Sequence, residues 1–196
     1  MQLKEKGIPT GVSNRHLHVS KEDLAILFGE GYELTQMKDL KQPGQYAAEE
    51  LVTIKGPKGS IEKVRILGPV RNATQVEISK SDAFKMGVNP PVRDSGDLEG
   101  SSAVTIIGPN GEVAIEKGLI LAKRHIHMHT SDAEYYKVKD KDIISVLAKT
   151  DGRTMIYQDV LVRVSEKFAL EFHVDTDEAN ASLLKNNDEI FIVEIF

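Results

Sequence analysis

Apolar and polar positions alternate in short runs along most of this chain, and turn residues close each run. Leu51-Val52-Thr53-Ile54 stops at Gly56-Pro57-Lys58-Gly59, Val104-Thr105-Ile106-Ile107 at Gly108-Pro109-Asn110-Gly111, and residues 143–147 before Asp151-Gly152. Alternation with β-branched residues, bounded by Gly, Pro and Asp, marks half-buried strands joined by hairpins. Its repetition predicts a mainly β protein of barrel or sandwich type. Helical patterns are short. Ser20 with Asp23 forms an N-cap signature ahead of residues 24–28, and residues 80–86 and 177–184 are the other candidates.

Two of these runs are near copies of each other: Arg15-His16-Leu17-His18-Val19-Ser20 and Arg124-His125-Ile126-His127-Met128-His129-Thr130-Ser131. Residues two apart on a strand share a face, so each His-x-His sets two imidazoles side by side where a divalent metal can be gripped. The repeat continues further along. Val76-Glu77-Ile78-Ser79-Lys80-Ser81-Asp82-Ala83 aligns with Phe172-His173-Val174-Asp175-Thr176-Asp177-Glu178-Ala179, placing Glu77 opposite His173. Each half thus offers a histidine pair and one later ligand. Three protein ligands with an open position is the pattern of catalytic zinc rather than of closed structural zinc. His16, His18 and Glu77 around a dication leave one formal positive charge, and His125, His127 and His173 leave two, which makes the second site the stronger anion binder. His129 shares the strand parity of His125 and His127 and stays open as a rival ligand.

Composition narrows the field. The 196 residues are 40% apolar and 28% charged, as in an ordinary globular protein with room for one large core or two smaller ones. A net charge of -5 argues against a nucleic-acid partner. With no cysteine, any zinc must be held by His, Asp or Glu, and a thiol nucleophile is excluded. No apolar run is long enough for a membrane helix. The polar stretch from Met1 to Pro9 contains no amphipathic targeting helix, which predicts a protein working in the cytoplasm, with a bacterial microcompartment left open.

These residues carry a resemblance. Gly11-Val12-Ser13-Asn14-Arg15-His16-Leu17-His18, Gly68-Pro69-Val70-Arg71, Val76-Glu77-Ile78-Ser79, Ala122-Lys123-Arg124-His125-Ile126-His127 and Glu171-Phe172-His173-Val174-Asp175-Thr176-Asp177-Glu178-Ala179-Asn180 resemble the PduL-type phosphate acyltransferases, the phosphate propanoyltransferase family. The resemblance implies two β-barrel domains with short capping helices, one from residues 4–14 plus 123–196 and the other from residues 15–122. It implies two zinc ions per chain, one on His16, His18 and Glu77 and one on His125, His127 and His173. It also implies that Arg71 is catalytic and contacts phosphate, while Val12, Ser13, Asn14 and Asn180 match positions lining the coenzyme A site. The reaction so implied interconverts a short acyl-CoA, propanoyl or acetyl, plus phosphate with acyl phosphate plus coenzyme A, as in propanediol degradation or acetate metabolism.

Weaker signals stand beside these. Lys38 and Phe84 are candidates for the phosphates and adenine of coenzyme A, Phe84 being equally suited to a core. Arg15 and Arg124 suit either phosphate contact or barrel-end charge. Gly56-Pro57-Lys58-Gly59-Ser60 lacks the spacing of a phosphate loop and fits a hairpin turn. The alternative reading is a cupin-like metal-dependent oxygenase or isomerase, because His16, His18 and Glu22 form a histidine pair followed by a carboxylate. A nonenzymatic zinc-holding scaffold is a third. Self-association as a homo-oligomer is left open.

Overall fold

The computed structural model describes residues 2, 3 and 6–194. In chain order its elements are β1 (Gln2–Leu3), β2 (Ile8–Ser13), β3 (His16–His18), α1 (Lys21–Phe28), β4 (Gln36–Asp39), β5 (Tyr46–Lys55), β6 (Ser60–Gly68), β7 (Gln75–Glu77), α2 (Lys80–Met86), β8 (Val92–Arg93), β9 (Ser102–Ile107) and β10 (Glu112–Ala122). They continue with β11 (His125–Met128), α3 (Thr130–Tyr136), β12 (Ile143–Ala148), β13 (Met155–Val164), β14 (Glu171–Asp175), α4 (Thr176–Ser182) and β15 (Glu189–Glu194). The chain divides into two units. One comprises the chain up to Ser13, Lys41–Pro43 and the chain from Lys123 onward; the other comprises Asn14–Leu40 and Gly44–Ala122. Lys4 and Phe196, the limits expected for one barrel, and Met1 and Glu5 lie outside the described residues.

Each unit contains a closed ring of six strands. In the unit built on Asn14–Ala122 the ring runs β5-β6-β3-β7-β10-β9 and returns to β5; in the other it runs β12-β13-β11-β14-β2-β15 and returns to β12. Position by position, the pairings agree in direction. β3 lies parallel to β6 and antiparallel to β7, as β11 lies parallel to β13 and antiparallel to β14. β7 lies parallel to β10 as β14 does to β2. The fold is therefore the same barrel twice, mainly β with four short helices, and closure leaves neither ring an open edge. In one barrel the strand equivalent to β10 comes from the start of the chain, as β2.

Alternation along the paired strands fills the two cores. Leu17, between His16 and His18, is fully buried with Ile54, Ile66, Val76, Ile106 and Leu119. Ile126, between His125 and His127, is fully buried with Ile8, Val160, Val162 and Phe172. Because neighbours on a strand point to opposite faces, burying Leu17 and Ile126 turns both histidine pairs to the other face of their barrels. The hairpin reading of the Gly-Pro turns holds: Gly56 N–H donates to Gly59 O and Gly108 N–H to Gly111 O, each at 2.9 Å.

The α2 range is the one the sequence pattern gives, and α1 starts at the Ser20 cap, whose side chain accepts from Asp23 N–H. α4 ends at Ser182 rather than at residue 184, because Leu183 turns into the left-handed region (φ 60°) and closes the helix. α3 escapes the sequence pattern, since Thr130 onward reads as the tail of the histidine motif. Its N-cap is His129, whose ring accepts from Ser131 N–H while Asp132 accepts from His129 N–H. No helix among the described residues is long and apolar enough to cross a membrane.

Candidate metal and phosphate site

Antiparallel pairing of β3 with β7 puts His16 opposite Glu77 and His18 opposite Gln75. Pairing of β11 with β14 puts His125 opposite His173 and His127 opposite Glu171. Directly opposed side chains on one face stand about 4.5–5.5 Å apart at Cβ, so the third ligand of each set arrives beside the first imidazole. Ligand atoms of His16, His18 and Glu77 all lie within 4.8 Å of one another, and so do those of His125, His127 and His173. The expected ligand sets are thus brought together, one in each barrel. His129 is not in its set: as the cap of α3 it has left the strand, and its Nδ1 lies 2.8 Å from Ser131 Oγ. Glu22 is exposed on α1 and outside either cluster, which removes the ligand set that a cupin-like site required.

The tautomers suit metal binding. His16 Nδ1 lies 2.8 Å from the carbonyl of Asn14, His18 Nδ1 3.0 Å from that of Leu67, and His125 Nδ1 2.8 Å from that of Lys123. A carbonyl only accepts, so each Nδ1 carries the hydrogen and each Nε2 presents its lone pair. Burial, then the positive charge of Arg71 and the neighbouring His16, hold His18 down to about 3; burial, then His125, His173 and Arg163, hold His127 down to about 2. Both rings are therefore neutral at physiological pH, as ligands must be. Donor type and spacing fit a divalent ion such as zinc at each cluster, and at the first the tautomers of both histidines fit it too.

In the first site the second oxygen of Glu77 is also engaged. Glu77 Oε2 stands 3.5 Å from His16 Nε2, while Oε1 accepts from Gln75 Nε2 at 2.6 Å and from Ser95 Oγ at 2.9 Å. In the second site His173 Nε2 lies 3.1 Å from His127 Nδ1 and 3.1 Å from Glu171 Oε2. Burial works to raise the pKa of Glu171, but the hydrogen bond and charge of His173, with Gln42 and Lys41, outweigh it and leave the carboxyl below its usual range. A carboxylate therefore borders the all-histidine set. The three ligands alone leave two formal positive charges around a dication there, and Glu171 beside them would offset one.

Arg71 reaches the first site from the turn after β6. Its N–H donates to Val19 O at 2.8 Å, holding it beside the residues that follow His18, whose ring feels its charge. A cleft of about 400 Å³ opens there, lined by Arg71, Asn72, Ala73, Gln75, Gly96 and Leu98. Arg15 and Arg124, by contrast, are tied to helix caps. Arg15 Nε pairs with Asp82 at 2.8 Å and Arg124 Nε with Glu178 at 2.7 Å, and each carboxylate belongs to the capping box of the helix that follows the third ligand. Val12 and Ser13 lie at the end of β2 and Asn180 is exposed on α4, which packs near β2. Asn14 is exposed and its carbonyl anchors His16. Lys38 and Phe84 are exposed, Phe84 by 87%, so Phe84 is not a core residue.

Sequence reasoning missed Gln75, Ser95, Glu171 and Gln42. Gln75 and Glu171 were within reach, since each stands two residues before a third ligand and so shares its face. Ser95 and Gln42 come from loops whose approach no periodicity announces.

Against known proteins, a family model described as phosphate propanoyltransferase matches residues 9–185. The phosphate propanoyltransferase of Thermotoga maritima is 68% identical over 191 residues, covering 97% of this chain and 91% of that protein. That of Priestia megaterium is 54% identical over 181 residues, covering 92% and 83%. That of Clostridioides difficile is 54% identical over 179 residues, covering 91% and 85%.

Proposed function

Because the chain belongs to the phosphate propanoyltransferase family and is an acyltransferase, we propose that it interconverts propanoyl-CoA or acetyl-CoA plus phosphate with the acyl phosphate plus coenzyme A, using two zinc ions. The observation that carries the zinc dependence is the pair of preformed three-ligand clusters, one per barrel. Bound zinc would supply Lewis acidity, stabilising a thiolate or an oxygen on which charge builds.

The chain's own residues have separate tasks in this reading. His16, His18 and Glu77 hold one ion, and His125, His127 and His173 the other. Arg71 meets phosphate: the residue lines the cleft, its charge is felt by His18 of the first cluster, and a planar fork of donors suits two phosphate oxygens at once. Val12, Ser13, Asn14 and Asn180 contact coenzyme A. With no cysteine to carry the acyl group, a phosphate oxygen attacks the thioester carbonyl carbon directly, forming a C–O bond as the C–S bond breaks and the thiolate departs. The protein works in the cytoplasm or in a microcompartment carrying propanediol degradation.

The test is release of coenzyme A thiol from propanoyl-CoA with and without phosphate, in metal-replete and metal-stripped protein. Release should require both. Full turnover by protein shown to hold no metal would sink the zinc dependence, and release without phosphate would sink the reaction.

A further inference from the structure

The first metal cluster is backed by a polar network that reaches the wall of the Arg71 cleft, and Gln75 is its centre. Gln75 is 2% exposed and sits on β7 two residues before Glu77, opposite His18. Its Nε2 donates to Glu77 Oε1 at 2.6 Å and to Ser95 Oγ at 2.9 Å, and its Oε1 accepts from Gly96 N–H at 2.7 Å. The contact to a backbone N–H fixes which end of the amide is oxygen, and hence that the NH₂ group faces the carboxylate. Ser95 Oγ donates to the same Glu77 oxygen at 2.9 Å.

Two donors thus converge on Oε1 while Oε2 faces His16. A carboxylate on a two-bond stem otherwise turns among rotamers, and fixing it beforehand removes an ordering cost from metal binding. We infer that Gln75, with Ser95, is a positioning residue: it locks Glu77 as the monodentate third ligand of the first metal and pins the 95–98 segment as the wall of the Arg71 cleft.

The second barrel supports the assignment with its chemistry reversed. The same place, two before the third ligand and opposite the second histidine, is held by Glu171, whose carboxylate meets His173 Nε2 at 3.1 Å. The acid ligand has an amide donor beside it, and the histidine ligand has a carboxylate beside it. Glu171 is itself braced by Gln42 Nε2 at 3.2 Å, and a Cβ at Gly11 would fall 2.7 Å from its Oε1, so any larger residue there would displace the carboxylate. The place is used in both barrels, and the residue type follows the ligand it serves.

This inference rests on the proposed metal at His16, His18 and Glu77, and the experiment separates the two. Stripped protein is titrated with zinc against a competing chelator, with the first-site step identified as the one His16→Ala removes. Gln75→Leu and Ser95→Ala should each weaken that step, the former by about 10- to 100-fold, and leave the other step at its parent value. Ser95→Thr, which keeps the hydroxyl, should return to parent affinity, an outcome that lost folding could not give. Should Gln75→Leu be unstable, Ser95→Ala on its surface loop carries the test. Parent affinity in both Gln75→Leu and Ser95→Ala would overturn the positioning role while leaving the metal site standing. A parent protein with no step that His16→Ala removes would overturn the metal site and this role together.

Discussion

The two barrels share strand order, pairing directions, a histidine pair on an inward-facing apolar residue, and an arginine tied to the helix after the third ligand. They differ at two linked places. One uses Glu77 backed by Gln75, the other His173 backed by Glu171. Backbone register supplies the positions twice over, and the charge at each cluster then depends on both members of the pair. A second difference lies in access. Arg71, six residues before Glu77, is half-buried at a cleft, whereas Lys167, six before His173, is exposed. Near the second site His127 packs on Phe168, with ring centroids 4.3 Å apart, and Arg163 lies over the same ring. The first site has an arginine at a cleft in its own barrel, and the second has an aromatic ring against His127 with Arg163 over it.

The largest expected effect comes from deleting either histidine pair. His16→Ala with His18→Ala, and His125→Ala with His127→Ala, should each cost about a thousandfold or more in kcat, because Lewis-acid stabilisation is worth several kcal/mol. If the second double variant keeps its activity while the first loses it, the barrels are alike in build but only one serves the reaction. Next is the cation pair. Arg71→Ala should lower kcat/KM for phosphate roughly ten- to a hundredfold, the loss of a charge-assisted contact worth about 1.5 to 3 kcal/mol, with metal content unchanged. Arg71→Lys should recover part of it. Lys167→Ala should change the same constant by no more than about twofold, as exposed substitutions do; an equal loss would erase the asymmetry.

A smaller effect follows from pH. In metal-stripped protein His18 and His127 stay neutral far below 6.5, whereas the unfolded chain takes up those protons as pH falls through 6.5. The unfolded state then binds more protons, so stability present above 6.5 is lost between there and about pH 3, by about 1.4 kcal/mol per pH unit for each ring. Urea titrations at pH 7 and pH 5 should show the drop, and bound zinc should reduce it. No change in the stripped protein would mean that the rings are not held neutral. Least affected should be His129→Ala: two metals retained, and a stability loss of about 1 kcal/mol from the α3 cap.

Much of this was legible in the sequence because it depends on period two. Alternation gave the strands, and the repeated His-x-His with Glu77 and His173 in matching register gave both ligand sets, since one face of a strand is fixed by parity. What parity could not give was where the strand stops. His129 has the right parity and the wrong element, because the helix begins there. Nor could it show that Arg15 and Arg124 are spent on Asp82 and Glu178, contacts that exist only once the third-ligand strand lies beside the first. Glu171 stands within the family motif, but only the fold sets its carboxylate against His173.

The most direct measurement is metal content per chain in parent, Glu77→Ala and His173→Ala proteins purified alike and loaded with zinc. Two ions in the parent and one in each single variant, with none in the double variant, is the expected result for one site per barrel. Two ions retained in both single variants, or both ions lost from either one, would contradict it.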